Sequence, residues 1–186
     1  MNQPTQSGWS RPVVKLLEWM LILAMGLLVL DVLWGVISRA LGELKAWFET
    51  SAGLAIAFLP DGQSSWTEEL ARFLLIWTSM LGAALAFERR AHLGVDYLIG
   101  KFHPDARVVL RLVSHLLVLI FATLVLVKGG WMLVETTLSS GQVTPALGLK
   151  KWVVYAVVPV SGVFVILFTI QNLLVDLTAR PREAKR

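Results

Sequence analysis

Two ionisable side chains, Asp31 and Arg72, interrupt stretches of this chain that are otherwise apolar. Charges at membrane depth pair with one another or mark an ion or substrate pathway. Each stands about two helical turns from one end of its apolar run, at 1.5 Å of rise per residue, so the two can meet at one depth. An interhelical salt bridge that fixes packing is the reading adopted, because a pair near an interface can reach water. A substrate or ion site is the alternative. Glu68 and Glu69 precede Arg72 by four and three residues and can support it on the same helix. They also fall in a first helical turn, where the dipole favours negative charge. A proton relay would need a chain of carboxylates through the other apolar runs, which do not supply one.

His92, His103 and His115 are the candidate haem or metal ligands. Only His115 lies inside an apolar run, and no histidine stands at the matching depth of another, so bis-histidine ligation is not expected. Ser114, Glu135, Gln171 and Asn172 do not converge on a hydrolase arrangement. The absence of cysteine excludes disulfides, thiolate metal sites and a cysteine nucleophile. There is neither a phosphate loop nor a dinucleotide fingerprint. The chain is expected to have no catalytic activity and to carry no cofactor or metal of its own.

The elements that position these residues are membrane helices. Hydrophobic residues make up 56% of the chain and charged residues only 16%, against about 25% charged in ordinary soluble domains. A bilayer core needs roughly 20 apolar residues of helix. Four stretches qualify, at about 16–37, 66–87, 112–131 and 152–175. Backbone groups in lipid must satisfy one another, so these are helices, with Pro159 kinking the fourth rather than breaking it. The first stretch is too long for a signal-peptide core of about 7–15 residues and is read as a retained span. The expected architecture is therefore an all-α membrane protein, one four-helix domain over 13–178 between flexible tails at 1–12 and 179–186.

Orientation follows from Lys and Arg. Arg11, Lys15, Arg89, Arg90, Lys101, Arg107, Arg111, Arg180, Arg182, Lys185 and Arg186 fall on one side, and Arg39, Lys45, Lys128, Lys150 and Lys151 on the other. That asymmetry puts both termini and the 88–111 loop in the cytoplasm. Trp34, Trp66, Trp131 and Trp152 then all stand at the outer ends of their spans, where an aromatic belt belongs. The basic residues flank apolar runs without forming a solvated patch, so nucleic acid is not an expected partner. In the outer 41–60 connection, Leu41, Leu44 and Phe48 share a helical face, which predicts a short interfacial helix. The inner connection has a similar candidate at 95–102.

Two further groups suit assembly. Ser79, Gly82, Ala83 and Ala86 recur at helical spacing and form a stripe that lets another helix approach closely. Arg89 and Arg90, followed by His92, Gly94 and Asp96, form a positive-inside stop and a turn whose His and Asp can hold the turn or touch another subunit.

The stretch TEELARFLLIWTSMLGAALAFERRAHLGVDYL resembles the signature of the small membrane subunit of tripartite ATP-independent periplasmic (TRAP) transporters, and TPALGLKKWVVYAVVPVSG at 144–162 is similar to that family's approach to its last helix. The outer insertion at 41–62 departs from the shorter connection of many members. The resemblance implies a multi-pass protein of the bacterial inner membrane that packs against a large elevator-type subunit. That subunit would bind sodium ions and an organic anion, a dicarboxylate or sugar acid, brought by a periplasmic binding protein. Glu68, Glu69 and Arg72 at the outer end, and Arg89, Arg90, His92 and Asp96 at the inner end, would be structural or interfacial. A four-helix chain with few buried charges lacks the discontinuous helices and midplane polar sites of substrate-binding transporter subunits, which agrees. A self-associating channel or exporter would need pore-facing polar residues on several helices, and a redox-complex anchor would need paired histidines at matched depth. The sequence shows neither.

Overall fold

The computed structural model describes residues 10–52, 62, 64–89 and 104–183. The helices are α1 (Ser10–Ala52), α2 (Ser65–Glu88), α3 (Pro104–Phe121), α4 (Gly130–Ser139), α5 (Lys151–Tyr155) and α6 (Val157–Glu183). A π-helical segment, Ala122–Gly129, joins α3 to α4. They give four apolar helical spans, Pro12–Ser51, Ser65–Glu88, Val108–Ser139 and Lys151–Leu177. The chain is an all-α, multi-pass membrane protein.

The first span differs from expectation in length. Residues 41–52 do not form a separate interfacial helix but continue α1, which runs for 43 residues. At 1.5 Å per residue α1 is about 65 Å long, roughly twice the hydrocarbon thickness of a bilayer. Pro12 falls in its first turn, where a missing N–H costs little, and no proline follows until Pro60. The charges of the outer part stay compatible with a helix because Lys45 and Glu49 pair across one turn. The rest of the outer 41–60 connection, 53–60, and the inner 95–102 candidate lie outside the described residues.

α1 packs through one seam. Val14, Leu17, Leu21, Ala24, Leu28, Asp31, Gly35 and Ser38 recur at alternating steps of three and four and are all buried or half-buried. That spacing is the seam of a helix pair. The partner is α2, which runs antiparallel to it: a Cβ added at Gly35 would meet Thr67, and one at Gly82 would meet Leu21. α2 in turn packs on α6, and α6 on the π-helical segment and α3. Among the described residues α1 makes no backbone-level packing with the third span. The spans therefore stand in a row, first–second–fourth–third, with the first and third as edges. Val14 and Leu17 of α1 join Leu81 and Leu85 of α2 and Val157 and Phe168 of α6 in one apolar cluster. Ala84, Ala122 and Val165 make a second cluster across α2, the π-helical segment and α6.

The third and fourth spans cross unusually tightly. A Cβ at Gly162 would lie 2.7 Å from Leu126 Cβ, and one at Gly130 would lie 2.9 Å from the ring of Pro159. Glycine at these two positions lets the backbones approach where any side chain would push them apart. The π-helical widening occupies the same contact, since Leu126 and Val127 are the residues Gly162 faces. Pro159 cannot donate to the Tyr155 carbonyl, and the fourth span turns at Ala156 between α5 and α6 before continuing as helix.

Candidate interaction site at the outer end

The end of the row that carries Trp66 and the 140–150 loop is called outer here, after the Lys and Arg count. The third span stops at Gly141, whose φ of +60° is a left-handed conformation that ends a helix readily in glycine. A short return follows. Val143 and Lys150 bridge, Thr144 N–H donates to the Leu149 carbonyl at 2.9 Å, and Lys151 N–H donates to the Gln142 carbonyl at 3.0 Å. Thr144 Oγ1 also accepts from the Leu149 amide at 3.0 Å. Within this return the amides of Ala146 and Leu147 point at α2, and the carboxylate of Glu69 accepts both, at 3.1 and 3.0 Å. One carboxylate from the first signature segment thus holds the loop of the second.

α2 begins just before this contact. Ser64 is extended at the cap position, and Thr67 Oγ1 donates back to the Ser64 carbonyl at 2.7 Å. This start sets Ser65, Glu68, Glu69 and Arg72 along the edge of an open cleft of about 310 Å³, closed on the far side by Pro145 and Ala146. Glu68 and Arg72 are exposed on its rim. The cleft presents both signs of charge at the membrane surface. No described residue in it has the arrangement of a nucleophile with a base.

Asp31 and Arg72 are not an ion pair. The seam contacts place Asp31 level with Ala71 and Arg72, so the depth match holds, but Arg72 is turned outward while Asp31 is 6% exposed and faces the seam. Neither Asp31 oxygen has a hydrogen-bond partner among the described residues. Depth is set by counting residues; the rotation that decides pairing is set by the seam.

The small-residue stripe of α2 divides between two uses. Gly82 is turned toward Leu21 of α1, and Ala86 is half-buried. Ser79 and Ala83 face outward, away from the chain's own helices. The buried residues of α2 are Thr67, Thr78, Leu81, Ala84 and Leu85.

At the inner end, Arg89 Nη2 lies 2.5 Å from Glu18 Oε1, which ties the end of α2 to α1. Arg90, His92 and Asp96 lie outside the described residues. Sequence reasoning missed two contacts here. His115 Nε2 lies 3.1 Å from Asp176 Oδ2, with both side chains about four-fifths buried, and this joins the third span to the fourth. Asn172 Nδ2 donates to the Phe87 carbonyl at 2.9 Å and joins the fourth to the second. The available signal was depth: His115 and Asp176 both stand near the basic, inner ends of their spans.

Comparison with known proteins identifies the family. The family model for tripartite ATP-independent periplasmic transporters, DctQ component, matches residues 28–179. A protein named as a TRAP transporter small permease from Haemophilus influenzae is 31% identical over 58% of this chain and 65% of its own length. The sialic acid TRAP transporter small permease protein SiaQ of Vibrio cholerae is 28% identical over 66% of this chain and 72% of its own. The isethionate TRAP transporter permease protein DctMQ of Oleidesulfovibrio alaskensis is 30% identical over 61% of this chain, but this chain spans only 18% of that protein. Both signature segments lie inside the matched range, and on that match the chain belongs to the DctQ component family, the small permease proteins of TRAP transporters.

Proposed function

We propose that this chain is the small, non-catalytic scaffold subunit of a TRAP transporter in the bacterial inner membrane. Its role is to pack against and stabilise a large elevator-type subunit. That subunit imports an organic anion, a dicarboxylate or sugar acid, together with sodium ions, and receives the anion from a periplasmic binding protein. The sodium ions belong to the large subunit and not to this chain.

The observation that carries this reading is the open row of helices. In each of the two edge spans only 6% of the apolar window is buried inside the chain. The outward face of α2 carries Ser79 and Ala83, small enough for a neighbouring helix to come close. A row of this kind encloses no path of its own and offers long faces to a larger body. The DctMQ relative supports the same reading, because a stretch like this chain makes up a small part of a much longer permease protein. The polar contacts join elements of the fold: Glu69 to the outer loop, Arg89 to Glu18, His115 to Asp176. Each fixes one helix end relative to another, as a scaffold requires.

The test is co-purification and reconstitution. The chain should form a stable complex with a large TRAP membrane subunit from the same organism, and Ser79→Leu or Ala83→Leu should weaken that complex without unfolding the chain. A chain that remains monodisperse and unbound when co-expressed with that subunit contradicts the proposal.

A further inference from the structure

Asp31 is a buried carboxyl that the scaffold role does not use. It sits within the α1–α2 seam with 6% of its surface exposed, and neither oxygen finds a hydrogen-bond partner among the described residues. The hydroxyls along the seam have already committed their protons. Thr67 donates to the Ser64 carbonyl at 2.7 Å, Ser38 to the Gly35 carbonyl at 3.0 Å, and Thr78 to the Leu74 carbonyl at 2.8 Å. These hydroxyls therefore have no proton left to offer a carboxylate in the seam. α1 packs on α2 alone among the described helices, so the charged groups to consider are few. On α2, Arg72 and Glu68 are exposed, and Glu69 is occupied by the Ala146 and Leu147 amides. On α1, Arg39 is exposed two turns outward, and Glu18 is paired with Arg89 at the other end of the membrane.

An ionised carboxylate in this position would bear the full penalty of a buried, unpaired charge, and nothing in the seam offsets it. A neutral carboxylic acid avoids the charge penalty and leaves only the smaller cost of a buried polar group. We propose that Asp31 is a proton-binding site: its carboxyl is held as the neutral acid between α1 and α2, and loss of that proton loosens the α1–α2 seam. The attachment of α1 to the rest of the row is then proton-linked, independently of what the transporter carries.

Two measurements on the full-length chain in lipid bilayers test this. Infrared difference spectra between wild type and Asp31→Asn at neutral pH should show a carboxylic-acid C=O band, shifted in D2O, that the variant lacks. Carboxylate bands in its place overturn the proposal, and so does a carboxylate band that moves when sodium chloride is added. The second measurement uses a cysteine pair. A Cβ at Gly35 lies 3.8 Å from the Thr67 Cβ, which suits a disulfide, and the chain has no other cysteine. Gly35→Cys with Thr67→Cys should crosslink equally fast at neutral pH with or without Asp31→Asn. At alkaline pH the Asp31 parent should crosslink several-fold more slowly than its Asp31→Asn counterpart. Equal rates at every pH, or a slower parent already at neutral pH, overturn the proposal.

Discussion

Replacing Gly162 with alanine should destabilise the chain, against the usual direction of such a change. In a helix interior, glycine to alanine ordinarily stabilises by about 0.5–1 kcal/mol, because glycine loses more conformational freedom on folding. At Gly162 the new Cβ would stand 2.7 Å from Leu126 Cβ, 3.0 Å from a Val127 methyl and 3.2 Å from the Leu126 carbonyl carbon. Carbon atoms in contact prefer about 3.5–4.0 Å, so the two spans must part by close to an ångström. Two of these three atoms belong to the backbone or stand next to it and cannot swing away. Overpacking of this kind costs roughly 1–3 kcal/mol, and more where backbone must move. The net effect is a loss of about 1–2 kcal/mol, which corresponds to roughly a five- to thirtyfold fall in the folded-to-unfolded ratio. The control lies in the same protein. A Cβ at Gly82 meets Leu21 at 3.8 Å, an ordinary contact, so Gly82→Ala should be neutral or stabilising. The assay is reversible unfolding in lipid or mild detergent, read by tryptophan fluorescence and circular dichroism on all three proteins. If Gly162→Ala is as stable as wild type, or gains as much as Gly82→Ala, the tight crossing does not exist as described.

Further expectations follow from the contacts at the two ends. Glu69→Gln should leave α2 folded but release the outer return, seen as faster hydrogen exchange at the Ala146 and Leu147 amides; unchanged protection there would remove Glu69 from that role. Arg72→Ala should reduce recovery of the assembled transporter more than it alters which anion is taken up, and a change of substrate preference in an intact complex would count against an assembly role. His115→Ala and Asp176→Ala, alone and together, should show a coupling of about 0.5–3 kcal/mol in a double-mutant cycle of unfolding, and strict additivity would mean that the pair contributes nothing. Cysteines at Ser64 and Gly94 should react with impermeant reagents from opposite sides of the membrane, and labelling from one side would overturn the orientation.

The spans were legible because each needs only a run of about 20 apolar residues, and Leu16–Ile37, Trp66–Phe87, Leu112–Trp131 and Trp152–Val175 supply them. The end of α1 was not, since Glu43, Lys45 and Glu49 look like an interfacial segment, yet no proline interrupts α1 between Pro12 and Ala52. The α1 seam illustrates the same limit. In a helix that is apolar all round, Leu17 and Leu16 look alike, and only the packed structure separates the 2% exposed residue from the 61% exposed one. Asp31 and Arg72 show how depth and rotation differ as information. Residue counting put them at one level, but which way each points depends on the partner helix. The Gly130 and Gly162 contacts lie furthest from the sequence, because a close-approach glycine is defined by what faces it. At the outer end, Glu69 was singled out for its place in a first helical turn, while its actual partners lie more than seventy residues away in the second signature segment.

The central claim is that this chain supports transport without conducting it. Substrate uptake into proteoliposomes, driven by a sodium gradient and supplied with the periplasmic binding protein, tests that most directly. The account predicts no uptake by the small chain alone, and uptake when the large subunit is reconstituted with it. Uptake of the anion by the purified small chain alone would contradict the account.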